Sequence, residues 1–508
     1  MKTIKSIARI LIFCLLLHLM FTGLNRILQQ KDSVVRVKPF LESAQEYDVL
    51  FVGDSQVLNG IMPMELYHKY GIASYAFASE NSLIPMTYWR ILNALEYTTP
   101  KVVVLSVTDV DELPLTNGES EWMHVAFDAF PMTLTKAKAI FELTNQEGTD
   151  KSGATYDEVR TELFFPLRLY HSRWSSLKPE DFKPEYNTHK GYQALVHVSD
   201  PDVRFQLVDR NDCLPEEGEG FAYLRKIIEE CQRRNIPLVL YQPPYPIWEN
   251  EHLGTHTAAN IAEEYGVPML NFPDMNRVVD FYVDCADPGS HLNVSGAQKV
   301  TDFLGQYLTA NYTLPDRRED SSYAHWDDAW DAEVEEKIRR IAEDADSLRS
   351  RLMLLHDDSF NVVLTVRSNF NYNHRNTRAA LQNIAREHVY NDDTKISAEI
   401  NPLEGLSYAI EEDVGYMLIV DRDAEDEYSR VQEFYGLSER EFETSFGYVF
   451  CRMDGEWIDL SITQDDEETY YFESWEEQDE DMRLILIDRR TGKPALTMAF
   501  SRTEEEQN

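Results

Sequence analysis

Between residues 45 and 312 the apolar positions follow two alternating patterns. One is the short unbroken run, as in Val49-Leu-Phe-Val52, Lys101-Val-Val-Val-Leu-Ser-Val107 and Leu238-Val-Leu-Tyr-Gln242. Such runs predict strands buried on both faces, the habit of a parallel sheet. Strands are expected over 48–53, 72–77, 101–107, 238–242 and 267–271. The other pattern spaces apolar residues three and four apart and predicts helices. These fall over Met64–Tyr70, Leu83–Leu95, Phe221–Arg234, Thr257–Tyr265 and Val294–Leu308, with helical pieces near 132–144 and 156–170. Strands separated by helix-length segments predict a doubly wound, parallel α/β sheet over 45–312.

The pattern differs at both ends. Ile10–Leu24 is almost wholly apolar, and with Ile7 and Ala8 it reaches the roughly 17–18 residues that cross a bilayer. Lys2, Lys5 and Arg9 precede it, which keeps the amino end cytoplasmic. No small-x-small cleavage site follows, so residues 1–25 are expected to be an uncleaved signal-anchor rather than a removed signal peptide. Residues 26–44 read as a polar, basic stalk. Past Asn311 the composition turns polar and charged, and 313–331 reads as a linker. A helix over 332–354 comes next. β-rich pieces then fall at 362–366, 415–420, 446–450 and 484–487, with a helix over 374–388. Residues 332–508 are thus expected to form a second, acidic α+β domain.

Charge narrows the function. The chain carries 48 Lys and Arg against 89 Asp and Glu, a net charge of −41, and residues 316–508 hold about −27 of it. Such a surface repels nucleic-acid phosphates and anionic lipid headgroups, so no nucleic-acid partner is expected and membrane attachment falls to the apolar segment. The five cysteines show no metal-binding spacing. A Cys213–Cys285 disulfide and buried free thiols are the alternatives, the second being the blander. The acidic tract 465–481 lacks the spacing of a calcium loop and reads as a solvated strand face and turn. No cofactor or metal is expected.

Two segments carry candidate chemistry. The first strand stops at Gly53-Asp54-Ser55, and Ser55 there is a candidate nucleophile, because reacting groups in open α/β sheets gather where strands end. A serine needs a base. Asp287-Pro-Gly-Ser-His-Leu-Asn-Val-Ser-Gly-Ala297 offers His291, with a carboxylate four residues earlier and Asn293 as the N-cap of the closing helix. Together these blocks resemble the SGNH (GDSL-type) hydrolases, and most closely their envelope O-acyltransferase-associated branch, similar to D-alanine-transfer and alginate-acetylation proteins. The likeness runs from Gly53-Asp54-Ser55 with Asn59-Gly60-Ile61-x-Pro63 to His291-Leu292-Asn293-x-x-Gly296-Ala297, and covers about residues 45–312.

The resemblance implies a three-layer α/β/α fold, Ser55 as nucleophile, His291 as base and Asp287 as the acid that orients it. Asp284 is the second candidate acid, because the spacing Asp287-x-x-x-His291 is one residue longer than the family's. The backbone N–H of Ser55 is an expected oxyanion donor. Asn81 and then Thr108 are the side-chain or loop candidates. The implied function is a single-pass, membrane-anchored acyltransferase or esterase. It would act outside the cytoplasm on hydroxyls of a cell-surface glycopolymer, fed by an acyl donor or an integral membrane O-acyltransferase. The alternative is a non-catalytic envelope assembly or binding protein that keeps the fold. The anchor is checked directly: protein extracted from membranes is expected to retain Met1–Leu24, whereas a mature chain beginning between Leu24 and Gln30 would show a cleaved signal.

Overall fold

A computed structural model of the chain describes residues 2–110, 120–150, 152–199, 208–209, 211–275, 278–288, 291–345, 350–351, 353–367, 406–407, 414–426, 429–435, 438–454, 457–465, 467–474 and 482–500. The helix expected over 374–388 lies outside these residues. The architecture is mixed α/β, and the chain packs as two compact units. The first comprises Met1–Gln193, Val203–Val278 and Lys299–Trp330; the second comprises Ala194–Asp202, Val279–Gln298 and Asp331–Asn508.

The first unit is built on five parallel strands: β1 Val49–Gly53, β2 Ser74–Ala78, β3 Val102–Ser106, β4 Leu238–Gln242 and β5 Met269–Asn271. Their order is β2-β1-β3-β4-β5. β1 through β4 are buried at every position, as unbroken apolar runs require. The helices between them end where the sequence stops them. Pro63–Tyr70 begins on proline and is closed by Gly71 at φ 68°, and Glu249–Tyr265 is closed by Gly266 at φ 66°. Glu219–Arg233 buries Phe221, Leu224, Ile227, Ile228 and Cys231, one stripe of the helical repeat. Glu249–Tyr265 begins eight residues before the apolar periodicity announces it, because its first turns are polar.

Two segments depart from expectation. The stalk contains a helix, Val34–Ser43, whose Arg36, Val37 and Phe40 are buried. Phe40 packs against Tyr47, Tyr75 and Phe77, and Arg36 pairs with Glu80 at 2.6 Å. The linker is likewise part of the first unit up to Trp330. Arg317 grips Asp48 through two bonds of 2.8 and 3.0 Å, and the Tyr323 hydroxyl donates to the Glu46 carbonyl. Trp326 is fully buried against Tyr47 and Tyr67, its indole N–H on Glu46. Three large aromatics among the charges, Tyr323, Trp326 and Trp330, supply the burial that overrides a polar composition. The helix expected from residue 332 accordingly starts at Ala324 and runs to Asp344.

At the amino end, Lys2–Leu28 is one helix, and Arg9–Leu28 is long and apolar enough to cross a membrane, with a mean hydropathy of 1.9.

The second unit holds two antiparallel sheets. One orders β14-β13-β6-β7-β8, from β6 Phe360–Val366, β7 Tyr416–Val420, β8 Val431–Tyr435, β13 Met482–Asp488 and β14 Lys493–Phe500. The other orders β12-β11-β10-β9, from β9 Ser438–Thr444, β10 Gly447–Asp454, β11 Trp457–Gln464 and β12 Glu467–Ser474. β6 is buried on both faces. Val363 joins Ile419 and Ile485 against Val449, Leu460 and Ile462 of the second sheet. Val362, Leu364 and Val366 point the other way, into a core shared with Ile341, Met353, Val196, Val283 and Val294. The segments around residues 196 and 283–294 therefore belong by packing to the C-terminal core. All five cysteines are free; Cys231, Cys285 and Cys451 are buried.

The 313–331 segment gives a direct test. Trp326→Ala is expected to destabilise the first unit by about 3–5 kcal/mol, the usual cost of emptying a buried tryptophan site. Asp328→Ala, exposed on the same helix, is expected to stay within about 0.5 kcal/mol. Urea unfolding followed by tryptophan fluorescence reads both, and equal effects would mean a solvated linker.

Candidate active site

Ser55 stands at the first turn of a short helix, Ser55–Gly60, directly after β1. Asp54 caps that helix, its carboxylate accepting the Gln56 N–H at 3.1 Å. Gly53 is required by the approach to β3: a Cβ there would sit 2.7 Å from the Ser106 Cβ and 2.9 Å from Val57. In the order β2-β1-β3, the chain leaves β1 toward one side and returns to β3 on the other. β1 and β3 therefore flank the switch in strand order, the place where open α/β sheets gather ligands at the carboxyl ends of their strands. Ser55 is half-buried at the mouth of the β1 loop.

The loop after β2 is fastened to β1, since the Ser79 N–H donates to the Gly53 carbonyl at 3.3 Å. Arg36 holds the next residue, Glu80, and Arg90 donates to the Ala78 carbonyl at 3.0 Å. Asn81 turns the chain with a left-handed φ of 47° and is exposed. After β3, the Thr108 hydroxyl is hydrogen-bonded to Ser106 Oγ at 2.7 Å and is buried. Asp109 follows at φ 52°. Its carboxylate contributes, after burial itself and together with Glu251 and Asp54, to holding the Tyr245 hydroxyl well above its usual pKa range. Ser79, just past the end of β2, is a further polar group here, its Oγ buried without a protein partner. A small polar residue closing an apolar strand is its only sequence signal.

The histidine belongs to the second unit. His291 Nδ1 and Asp287 Oδ2 are 2.6 Å apart, and the His291 backbone N–H donates to the other oxygen of the same carboxylate at 3.1 Å. The loop that carries them is pinned at its base by a bridge between Cys285 and Leu292 and by the Ala286 N–H on the His291 carbonyl at 2.9 Å. The pair is partly exposed. Asp284, the second candidate acid, is fully buried and has other duties. Its oxygens accept the Ser295 hydroxyl at 2.8 Å and the Asp280 N–H at 2.7 Å. Asn293 caps the helix Val294–Asn311 by accepting from Ser295 and Gly296, while its amide donates to the Val283 and His197 carbonyls. Gly296 is needed there, because a Cβ would lie 2.6 Å from the Asp284 carbonyl oxygen.

The structure thus joins Asp287 to His291, places Ser55, Asn81 and Thr108 in the first unit, and ties the Thr108 hydroxyl to Ser106. Among the described residues no three His, Cys, Asp or Glu side chains gather to hold a metal. No protein-family model and no curated protein sequence matches this chain.

The two acids separate experimentally. Asp284→Asn is expected to lower stability by about 1–3 kcal/mol, because it disturbs a buried, fully used carboxylate. Asp287→Asn, partly exposed, is expected to leave the melting temperature nearly unchanged. A large thermal loss in the Asp287 variant instead would make that carboxylate a structural brace.

Proposed function

We propose that the chain is a membrane-anchored, SGNH-type acyltransferase or esterase with a three-layer α/β/α catalytic fold. In this reading Lys2–Leu28 is a single-pass anchor, and the folded units lie outside the cytoplasm. The observation that carries the reading is the 2.6 Å pair of His291 and Asp287, in a chain that also presents Ser55 at the end of β1. A histidine whose Nδ1–H donates to a carboxylate keeps its Nε2 lone pair for a proton.

The chemistry follows from these roles. Ser55 Oγ attacks the acyl carbonyl carbon while His291 Nε2 takes the serine proton. Asp287 stabilises the imidazolium through Nδ1–H, and the Ser55 N–H donates to the oxyanion. Collapse breaks the bond to the donor's oxygen or sulfur, which leaves with the proton from His291. A sugar or polyol hydroxyl then gives its proton to His291 and attacks the acyl-enzyme, releasing serine. Water in that position makes the product a free acid. The acceptor class proposed is the hydroxyl of a cell-surface glycopolymer, with an integral membrane O-acyltransferase as a source of acyl groups. A second reading, a non-catalytic envelope assembly protein, draws support from the Thr108 hydroxyl, which is engaged by Ser106.

Fluorophosphonate labelling of the full chain, with mass mapping of the adduct, distinguishes the two. Label is expected on Ser55 and is expected to vanish in Ser55→Ala with the fold intact. Asp287→Asn is expected to slow turnover of a small ester by up to about 10⁴. A chain ended at residue 330 is also expected to lose labelling, because Val283 and Val294 then lose the core they pack in. Labelling that persists in Ser55→Ala would sink the assignment, and no labelling of the wild type would favour the assembly protein.

A further inference from the structure

The end of the amino-terminal helix is fastened to one segment of the first unit. Lys2–Leu28 packs against three short helical pieces, Leu167–Tyr170, His171–Ser175 and Pro179–Phe182. The Arg173 guanidinium donates to the carbonyl of Leu28, the last residue of that helix. Its other terminal nitrogen pairs with Asp181 at 2.8 Å. The Lys31 ammonium reaches the same carboxylate oxygen at 3.4 Å and the Ile27 carbonyl at 3.0 Å. Asp181 is buried and also accepts the Lys178 N–H at 2.9 Å. A buried carboxylate with this many partners holds the helix end and residues 165–182 together.

That segment shows apolar side chains to its surroundings. Trp174 is 73 % exposed, Phe165 68 %, Phe182 56 % and Leu169 37 %. Outside Lys2–Leu28 the described residues expose ten large apolar side chains, so four within eighteen consecutive positions are a concentration. Lys178 and Lys183 are exposed among them. Residues 165–183 carry four Lys and Arg against two Asp and Glu, in a chain whose acidic residues outnumber its basic ones 89 to 48. Aromatic rings interleaved with basic side chains suit a boundary that is apolar on one side and bears phosphates on the other.

The length of the span says what lies against them. Arg9–Leu28 is 20 residues long, about 30 Å of helix, which matches the hydrocarbon core of a bilayer. A span with no residues to spare ends at the membrane surface, and Arg173 on the Leu28 carbonyl then brings Trp174 to headgroup depth. We propose that residues 165–182 form an interfacial shelf on the phospholipid bilayer. Phe165, Leu169, Trp174 and Phe182 enter the boundary between acyl chains and headgroups, and Lys178 and Lys183 meet lipid phosphates. The shelf is a second attachment: the first unit does not swing on a single helix but lies against the leaflet in one orientation. It rests on reading Lys2–Leu28 as the anchor and is independent of the chemistry at Ser55.

The test reconstitutes the full chain in vesicles of phosphatidylcholine brominated near the headgroup end of its acyl chains. Tryptophan quenching is read against unbrominated vesicles. Trp174→Phe removes one reporter, and Trp248→Phe, at a position 52 % exposed on another helix end, is the control. The Trp174 variant is expected to lose a quenched component that the Trp248 variant keeps. Phe165→Ser combined with Phe182→Ser is expected to weaken the quenching of Trp174 at least about twofold, because less apolar area enters the lipid. Flotation of the same vesicles separates this proposal from the anchor it rests on. A chain that does not float with them overturns the anchor and the shelf together. A chain that floats, but whose quenching is unchanged by Trp174→Phe, overturns the shelf alone and leaves the exposed face to a protein partner. Equal losses in the Trp174 and Trp248 variants, or no weakening in the paired serine variant, also overturn the shelf.

Discussion

Val283 and Val294 sit in the same apolar core as Val362, Leu364, Leu418 and Leu484, and the placement of the histidine loop depends on that packing. The loop between them is short, carries a carboxylate and an imidazole, and has few apolar residues of its own. It is held because its two ends are buried in a core supplied mainly by residues beyond 331. Hydrogen bonds reinforce the burial. Asn293 ties the helix start to the Val283 and His197 carbonyls, and the Gln298 side chain accepts the Asp358 N–H. The acidic C-terminal residues are therefore more than an appendage. They form the floor under His291.

The same packing shows what the sequence could and could not disclose. β1, β3 and β4 were legible because both faces are apolar, so the run itself announces the strand. β6, β7 and β13 were legible for the same reason, with consecutive residues such as Val362 and Val363 facing opposite cores. β9 was not: Ser-Glu-Arg-Glu-Phe-Glu-Thr buries Phe442 alone among its described side chains and pairs through its backbone with β10. The grouping of 194–202 and 279–298 with distant strands leaves no local pattern at all. It is decided by which apolar side chains meet, and a linear reading sees only that they are apolar.

Charge misled in two places. Charge marks the basic stalk and the charged linker as solvated, yet Arg36 is a buried brace on Glu80, and Arg317, partly exposed, clamps the buried Asp48 carboxylate. A paired guanidinium can be buried where a lone one cannot. Of the site, the part written locally could be read: Asp287 and His291 are one loop apart, and Asn293 is a cap in sequence and in space. The oxyanion candidates were harder. Thr108 is buried as expected of a strand end, but its hydroxyl is occupied by Ser106, two residues back on the same strand. That competition follows from hydroxyl geometry and not from composition.

The bond between Asp48 and Arg317 has a consequence for how the protein is made. The two residues are 269 positions apart, and Trp326 closes over Glu46 and Tyr47 from still farther along the chain. The first strand therefore emerges from the ribosome long before the side chains that finish its surroundings. Until they arrive, β1 and its apolar neighbours have no complete cover. Contacts of such long range form slowly, because a large loop must close before they stabilise anything. The nascent chain stays exposed through that interval, and its yield should depend on the pace of synthesis as much as on the stability of the finished fold.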